Sequence, residues 1–168
     1  MARDPHKIDA KAYNAVVGRT MLTGIRLTET RFELKPEALD SDPDVWRKEV
    51  RAEPVEMFND CAVGRLHGMF LFDLVCRHKR RKVLSCFARY LVSWQVDGEC
   101  NPEVGGLFVE RVGKVVAYPY FRSSVAQLSA QSGILMPPLP IISLAPRNVK
   151  SAADLEDTQY PVKGLAEN

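Results

Sequence analysis

Three side chains near the middle of the chain, Cys76, His78 and Cys86, are of the types that hold a soft metal. A structural zinc site draws four ligands, usually in closely spaced pairs. Here there is no CxxC pair and no fourth ligand, so the expected reading is two core cysteines beside an exposed histidine. Between them runs RHKRRK, residues 77–82, with five strong cations in six positions. Such a tip could grip phosphates or an acidic protein surface, through contacts that salt would weaken. No aromatic stacking platform adjoins it, so a solvated tip is expected and nucleic acid is not. For catalysis the chain offers no G-x-x-x-x-G-K-[ST] phosphate loop, no G-x-G-x-x-G and no G-x-S-x-G elbow. Its carboxylates are scattered and form no evident acid–base pair. No catalytic residue, cofactor or metal is therefore expected.

A chain of 168 residues, 46% hydrophobic and 26% charged, suits one domain over 1–168 with a sizeable core. That core is expected to span about 14–150, between polar tails at 1–13 and 157–168. A net charge of +2 is too slight to argue for nucleic acid. No window reaches the ~18 uninterrupted apolar residues of a membrane helix. MARDPHKIDAKAY at the start holds no apolar signal core, so a cytoplasmic protein with four reduced cysteines is expected.

The elements that must position these groups follow from periodicity. From Asn14 to Leu34 β-branched residues dominate, interrupted by Gly18 and Gly24, which predicts a strand bent or bulged at a glycine. Residues 35–54 carry three prolines and many charges and read as a loop. The runs 56–76 and 83–96 read as two long strands of a hairpin around the basic tip. In the second, Leu84, Cys86, Ala88, Tyr90, Val92, Trp94 and Val96 alternate onto one face. In the first, Phe70, Phe72, Leu74 and Cys76 do the same. The opposite face of the second strand mixes Val83, Phe87 and Leu91 with polar residues, which either a covering helix or a bound partner would explain. Val104, Leu107, Phe108, Val112 and Val115 then predict a short helix. Tyr118, Phe121, Val125 and Leu128 predict a second, amphipathic one. Pro119 would sit in its first turn and Gly133 would be its left-handed cap. RNVKSAADLED, 147–157, could add a brief helix. Strands first and helices after predict an α+β fold.

Past Gly133 comes ILMPPLPIISLAP, an apolar, proline-studded connector. Loops are normally polar because their backbone stays solvated. Either this one drapes over the domain and buries its side chains, or it stays partly accessible and lines a groove for foreign apolar polypeptide. Proline suits the second role, since it stiffens an unpaired segment and withholds N–H groups from stray strand pairing.

The order of short motifs resembles the SecB family of export chaperones. Tyr118-Pro119-Tyr120-Phe121-Arg122 is followed by Pro137-Pro138-Leu139 and by Leu144-Ala145-Pro146-Arg147-Asn148-Val149, and Thr28–Glu33 is similar to the end of that family's first strand. The likeness covers roughly residues 25–150. It implies a four-stranded antiparallel sheet with C-terminal helices packed on one face, assembled as a dimer of dimers. It also implies ATP-independent holding of unfolded preproteins for the SecA motor of the translocase. Carried over, the client-binding residues would be Val125, Leu128, Ile134, Leu135, Met136, Leu139, Ile141 and Ile142, and the motor-binding acids Glu29 and Glu33. The family's Leu-x-Glu motor contact would fall on Ser85 and Phe87, so that part is missing. The pI near 8.4 also departs from the family's acidic character. A SecB-like protector of an antitoxin is the alternative within the resemblance. Outside it stands an adaptor whose basic tip binds an acidic partner or RNA.

Overall fold

The computed structural model describes residues 10–140. Ile141, Ile142, the 144–149 motif, the brief helix at 147–157 and the tail at 157–168 lie outside them. The described chain runs α1 (Ala10–Gly18), β1 (Thr20–Leu34), two single 3-10 turns, β2 (Arg47–Asp60), β3 (Arg65–His78), β4 (Arg81–Val96) and α2 (Pro102–Gln131). The strands form one antiparallel sheet in the order β1-β4-β3-β2. The fold is α+β, as the sequence predicts, with α2 as the one long helix after the strands among the described residues.

The hairpin of β3 and β4 is the part that alternation read correctly. All seven predicted inward residues of β4 are buried, as are Phe70, Phe72, Leu74 and Cys76 of β3. Along β3, α2 runs in the strand's own direction. Gly105 lies by Leu66, Val109 by Gly68 and Gly113 by Phe70, while Phe121 stacks on Phe72 at 5.2 Å. The approach is so close that a methyl group on Gly113 would sit 1.9 Å from the ring of Phe70. Gly113, which weakens a helix by propensity, is thus what lets the helix reach the sheet.

Four expectations need correction. The end of the expected lead-in, 10–13, and the strand start at Asn14 give way to α1, because Ala12, Tyr13 and Val16 fall on one helical face and pack into the core; residues 1–9 lie outside the described ones. Arg111 of α2 sits 5.6 Å over the Tyr13 ring. The bulge in β1 is where a glycine predicts it, between Leu22 and Gly24, with a second between Leu27 and Glu29. The loop at 35–54 ends at Trp46, and the rest is β2, an edge strand. Charges and a proline at a bulge, between Pro54 and Glu56, are what an edge uses to resist stray pairing. Run 56–76 is consequently two strands, the end of β2 and β3, joined through Cys61–Gly64.

The two predicted helices are also one. Asn101 caps α2 by accepting from the N–H groups of Glu103 and Val104, and the helix continues through Pro119. An internal proline costs about 3 kcal/mol, and here it is offset by burial of Tyr118 and Phe121 on either side. At the far end Gly133 has φ +76°, the predicted left-handed cap. Its N–H donates to Ala130 and that of Ile134 to Ser129, which closes the helix in a Schellman turn.

Candidate functional site

After that turn the connector doubles back along α2. Ile134 and Leu139 plug into the core, at 6% and 3% exposure, whereas Leu135 between them stands 87% exposed. Met136 is half-buried, with the Cys76 thiol donating to its sulfur at 3.9 Å. The Tyr118 hydroxyl donates to the Pro140 carbonyl at 2.6 Å and holds the connector's end. Burial raises the Tyr118 pKa, and the charge of Arg122 nearby works against the rise. Helix and connector enclose an open cleft of about 260 Å³. Pro119, Arg122 and Ala126 form one wall, since they recur at helical spacing, and Met136 and Pro137 form the other. Three neighbouring prolines leave these walls with few N–H donors, so the cleft presents shape and apolar surface more than backbone hydrogen bonds.

The client-binding candidates fall into groups. Val125, Ile134 and Leu139 are core residues, although Val125 and Leu139 also border the cleft. Leu128 is half-buried against the core, Met136 lines the cleft, and Leu135 is the one fully offered to solvent. One residue of the site was not nominated from sequence. Arg122 is the sole charge between Ala117 and Pro146, a signal that was available, and it projects into the cleft wall.

Glu29 and Glu33 lie on the opposite face of the sheet, which no described helix covers. On the mixed face of β4, Val83 is buried near the first 3-10 turn, while Phe87 and Leu91 lie only half-buried. Glu29 is bonded to both Arg31 and Arg89, and those two guanidiniums flank the ring of Phe87 at 5.3 and 5.4 Å. Glu33 is held by Lys35 and Lys82. Hydrogen bonds to Lys35 and then Lys82 bring its pKa down to about 2. Both acids are thus neutralised within the chain, and the Ser85 hydroxyl donates to Glu33 at 3.4 Å.

The cysteines flanking the basic tip are core residues, as expected. Cys76 and Cys86 are fully buried, and burial pushes both thiols up to about 11. Among the described residues no three His, Cys, Asp or Glu side chains converge as metal ligands. The tip, with Lys79 at φ +57°, shapes a shallow hollow of about 510 Å³ lined by His78, Lys79, Arg80 and Arg81 with Glu37. No described helix is long and apolar enough to cross a membrane.

The fold is that of a SecB-like chaperone. The structure of the Mycobacterium tuberculosis SecB-like chaperone Rv1957, in complex with a ChAD peptide from the Rv1956 HigA1 antitoxin, matches with a TM-score of 0.64 at 17% identity. The match covers 79% of this chain and 97% of that one. A Streptococcus agalactiae protein of unknown function is a far looser likeness, with a TM-score of 0.33 at 11% identity, over 74% of this chain and 96% of that one. No protein-family model matches the sequence, and no curated protein matches it significantly.

Proposed function

We propose that this protein is a cytoplasmic, ATP-independent holdase that keeps non-native polypeptide from aggregating by taking extended apolar segments along α2 and the connector. The observation that carries the reading is Leu135. A large aliphatic side chain at 87% exposure, on a segment pinned at both flanks by Ile134 and Leu139, packs into no core among the described residues. Burying it against a client would contribute about 1.5–3 kcal/mol. Neighbouring contacts would add to this, and ordering the client would offset much of it. Binding would therefore be weak per site and tolerant of sequence.

The peptide in the mycobacterial structure comes from an antitoxin, which supports a client of that kind. Hand-off of preproteins to SecA is the weaker branch, because Glu29 and Glu33 are already paired with Arg and Lys. Assembly as a dimer of dimers belongs to the same proposal. It is supported by Met21, Leu22 and Leu27 of edge strand β1, which are 64%, 43% and 46% exposed. A second reading, an adaptor gripping an acidic partner by the basic tip, draws on one observation. Among the described residues no acid pairs with Arg77, Lys79, Arg80 or Arg81.

The test is light scattering of an aggregating model protein in the presence of wild type and Leu135→Asp. We expect wild type to suppress aggregation and the variant to lose most of that effect, with its melting temperature unchanged because the site is exposed. Equal protection by both would remove the connector as the binding surface.

A further inference from the structure

The cleft that this reading gives to clients is apolar except at one place. Arg122 projects from the same helical face as Pro119 and Ala126. Its guanidinium makes no ion pair or hydrogen bond among the described residues, and its Nε is closed off from solvent without a partner. No acidic side chain lines the cleft. An arginine packed for structure normally spends its fork of donors on carboxylates or carbonyls. Here the Nε donor is left without a partner among the described residues, beside prolines and aliphatic groups, where an unmade donor is costly.

We propose that Arg122 is the specificity-determining residue of the cleft and receives the carboxylate of an aspartate or glutamate within an otherwise apolar client segment. The proposal rests on the holdase reading and adds a preference to it. The ligand is a side-chain carboxylate and not a chain terminus. Capture of a terminal carboxylate uses clustered backbone N–H groups, and Pro119, Pro137 and Pro138 along these walls have none. A carboxylate satisfies the guanidinium through charge-assisted hydrogen bonds, while flanking apolar side chains meet Met136 and Leu135. The basic tip is not the source of the preference, because Lys79, Arg80, Arg81 and Lys82 are solvent-exposed and screened.

The experiment titrates the full-length protein with two fluorescent apolar peptides that differ only in a central Glu or Gln. Wild type should bind the Glu peptide about tenfold more tightly, and the difference should fade below about pH 4 as that Glu protonates. In Arg122→Gln the two affinities should converge on that of the Gln peptide. Arg122→Lys should keep the sign of the preference with a smaller ratio, and Arg80→Gln/Arg81→Gln should keep it whole. Equal binding by wild type, or a preference that survives Arg122→Gln, overturns the assignment and leaves the holdase reading standing. Tighter binding of the same apolar peptide ending in a free carboxylate overturns the side-chain source. Absence of binding by both peptides overturns the assignment together with the holdase reading. Circular dichroism of each variant confirms that the comparisons are between folded proteins.

Discussion

Glu33 shows how a residue can be of the right type and at the right position and still be occupied. Lys35 and Lys82 reach it from the chain that follows and from the neighbouring strand, and they hold its carboxyl near 2. A depressed carboxylate contributes stability above its ordinary pKa and loses it as pH falls through the folded value, so this contribution fades between about pH 4.5 and 2. The group is exposed, so salt screens the effect. A side-chain NMR titration should place the Glu33 midpoint near 2. Lys35→Ala should move that midpoint upward further than Lys82→Ala, because the Lys35 hydrogen bond is the larger influence. A midpoint that neither substitution moves would show that the pairing does not persist in solution.

At the scale of elements, the contact of α2 with β3 is governed by absent atoms. Gly68 leaves room for Val109, and Gly113 leaves room for Phe70. Phe70 is fully buried and has nowhere to retreat. We predict that Gly113→Ala destabilises the fold by about 1–3 kcal/mol through overpacking, read as a thermal midpoint lowered by roughly 2–4 °C per kcal/mol for a chain of this size. Combining it with Phe70→Leu should cost less than the sum of the two single changes, since they share one space. Additive losses would mean that the helix shifts away from the strand when challenged. The same seam explains Pro119. A helix pressed along a strand by rings at 118 and 121 continues past a residue that would end it in isolation.

Across the described residues, the cleft and the ion pairs lie on opposite faces of the sheet. The cleft lies on the helix side, and the ion pairs of Glu29 with Arg31 and Arg89 and of Glu33 with Lys35 and Lys82 lie on the other. The basic tip projects from the end of β3 near Met136, which touches Cys76. If the tip recruits an acidic partner, binding should fall steeply between low and moderate salt and be lost in Arg80→Gln/Arg81→Gln. Client holding through the cleft should persist in salt and show a negative heat-capacity change. Calorimetry at two salt concentrations separates the two. A holding activity that collapses with salt would move the binding surface to the tip.

The sequence by itself determined the elements whose signal is local: the alternation of β4 and inner β3, the left-handed cap at Gly133, and an apolar connector that needed an explanation. These read directly because side-chain periodicity is set by backbone geometry one residue at a time. Only the tertiary structure decided the rest. β2 is a strand because β3 supplies its hydrogen bonds, although its charges and proline read as loop. α1 is a helix because α2 gives Tyr13 and Val16 a surface, and α2 is unbroken because the sheet holds both sides of Pro119. Within the connector, composition could not separate Leu135 from Ile134 and Leu139. Which of three similar side chains is left facing solvent depends on where the chain turns over a surface built by residues far away in sequence.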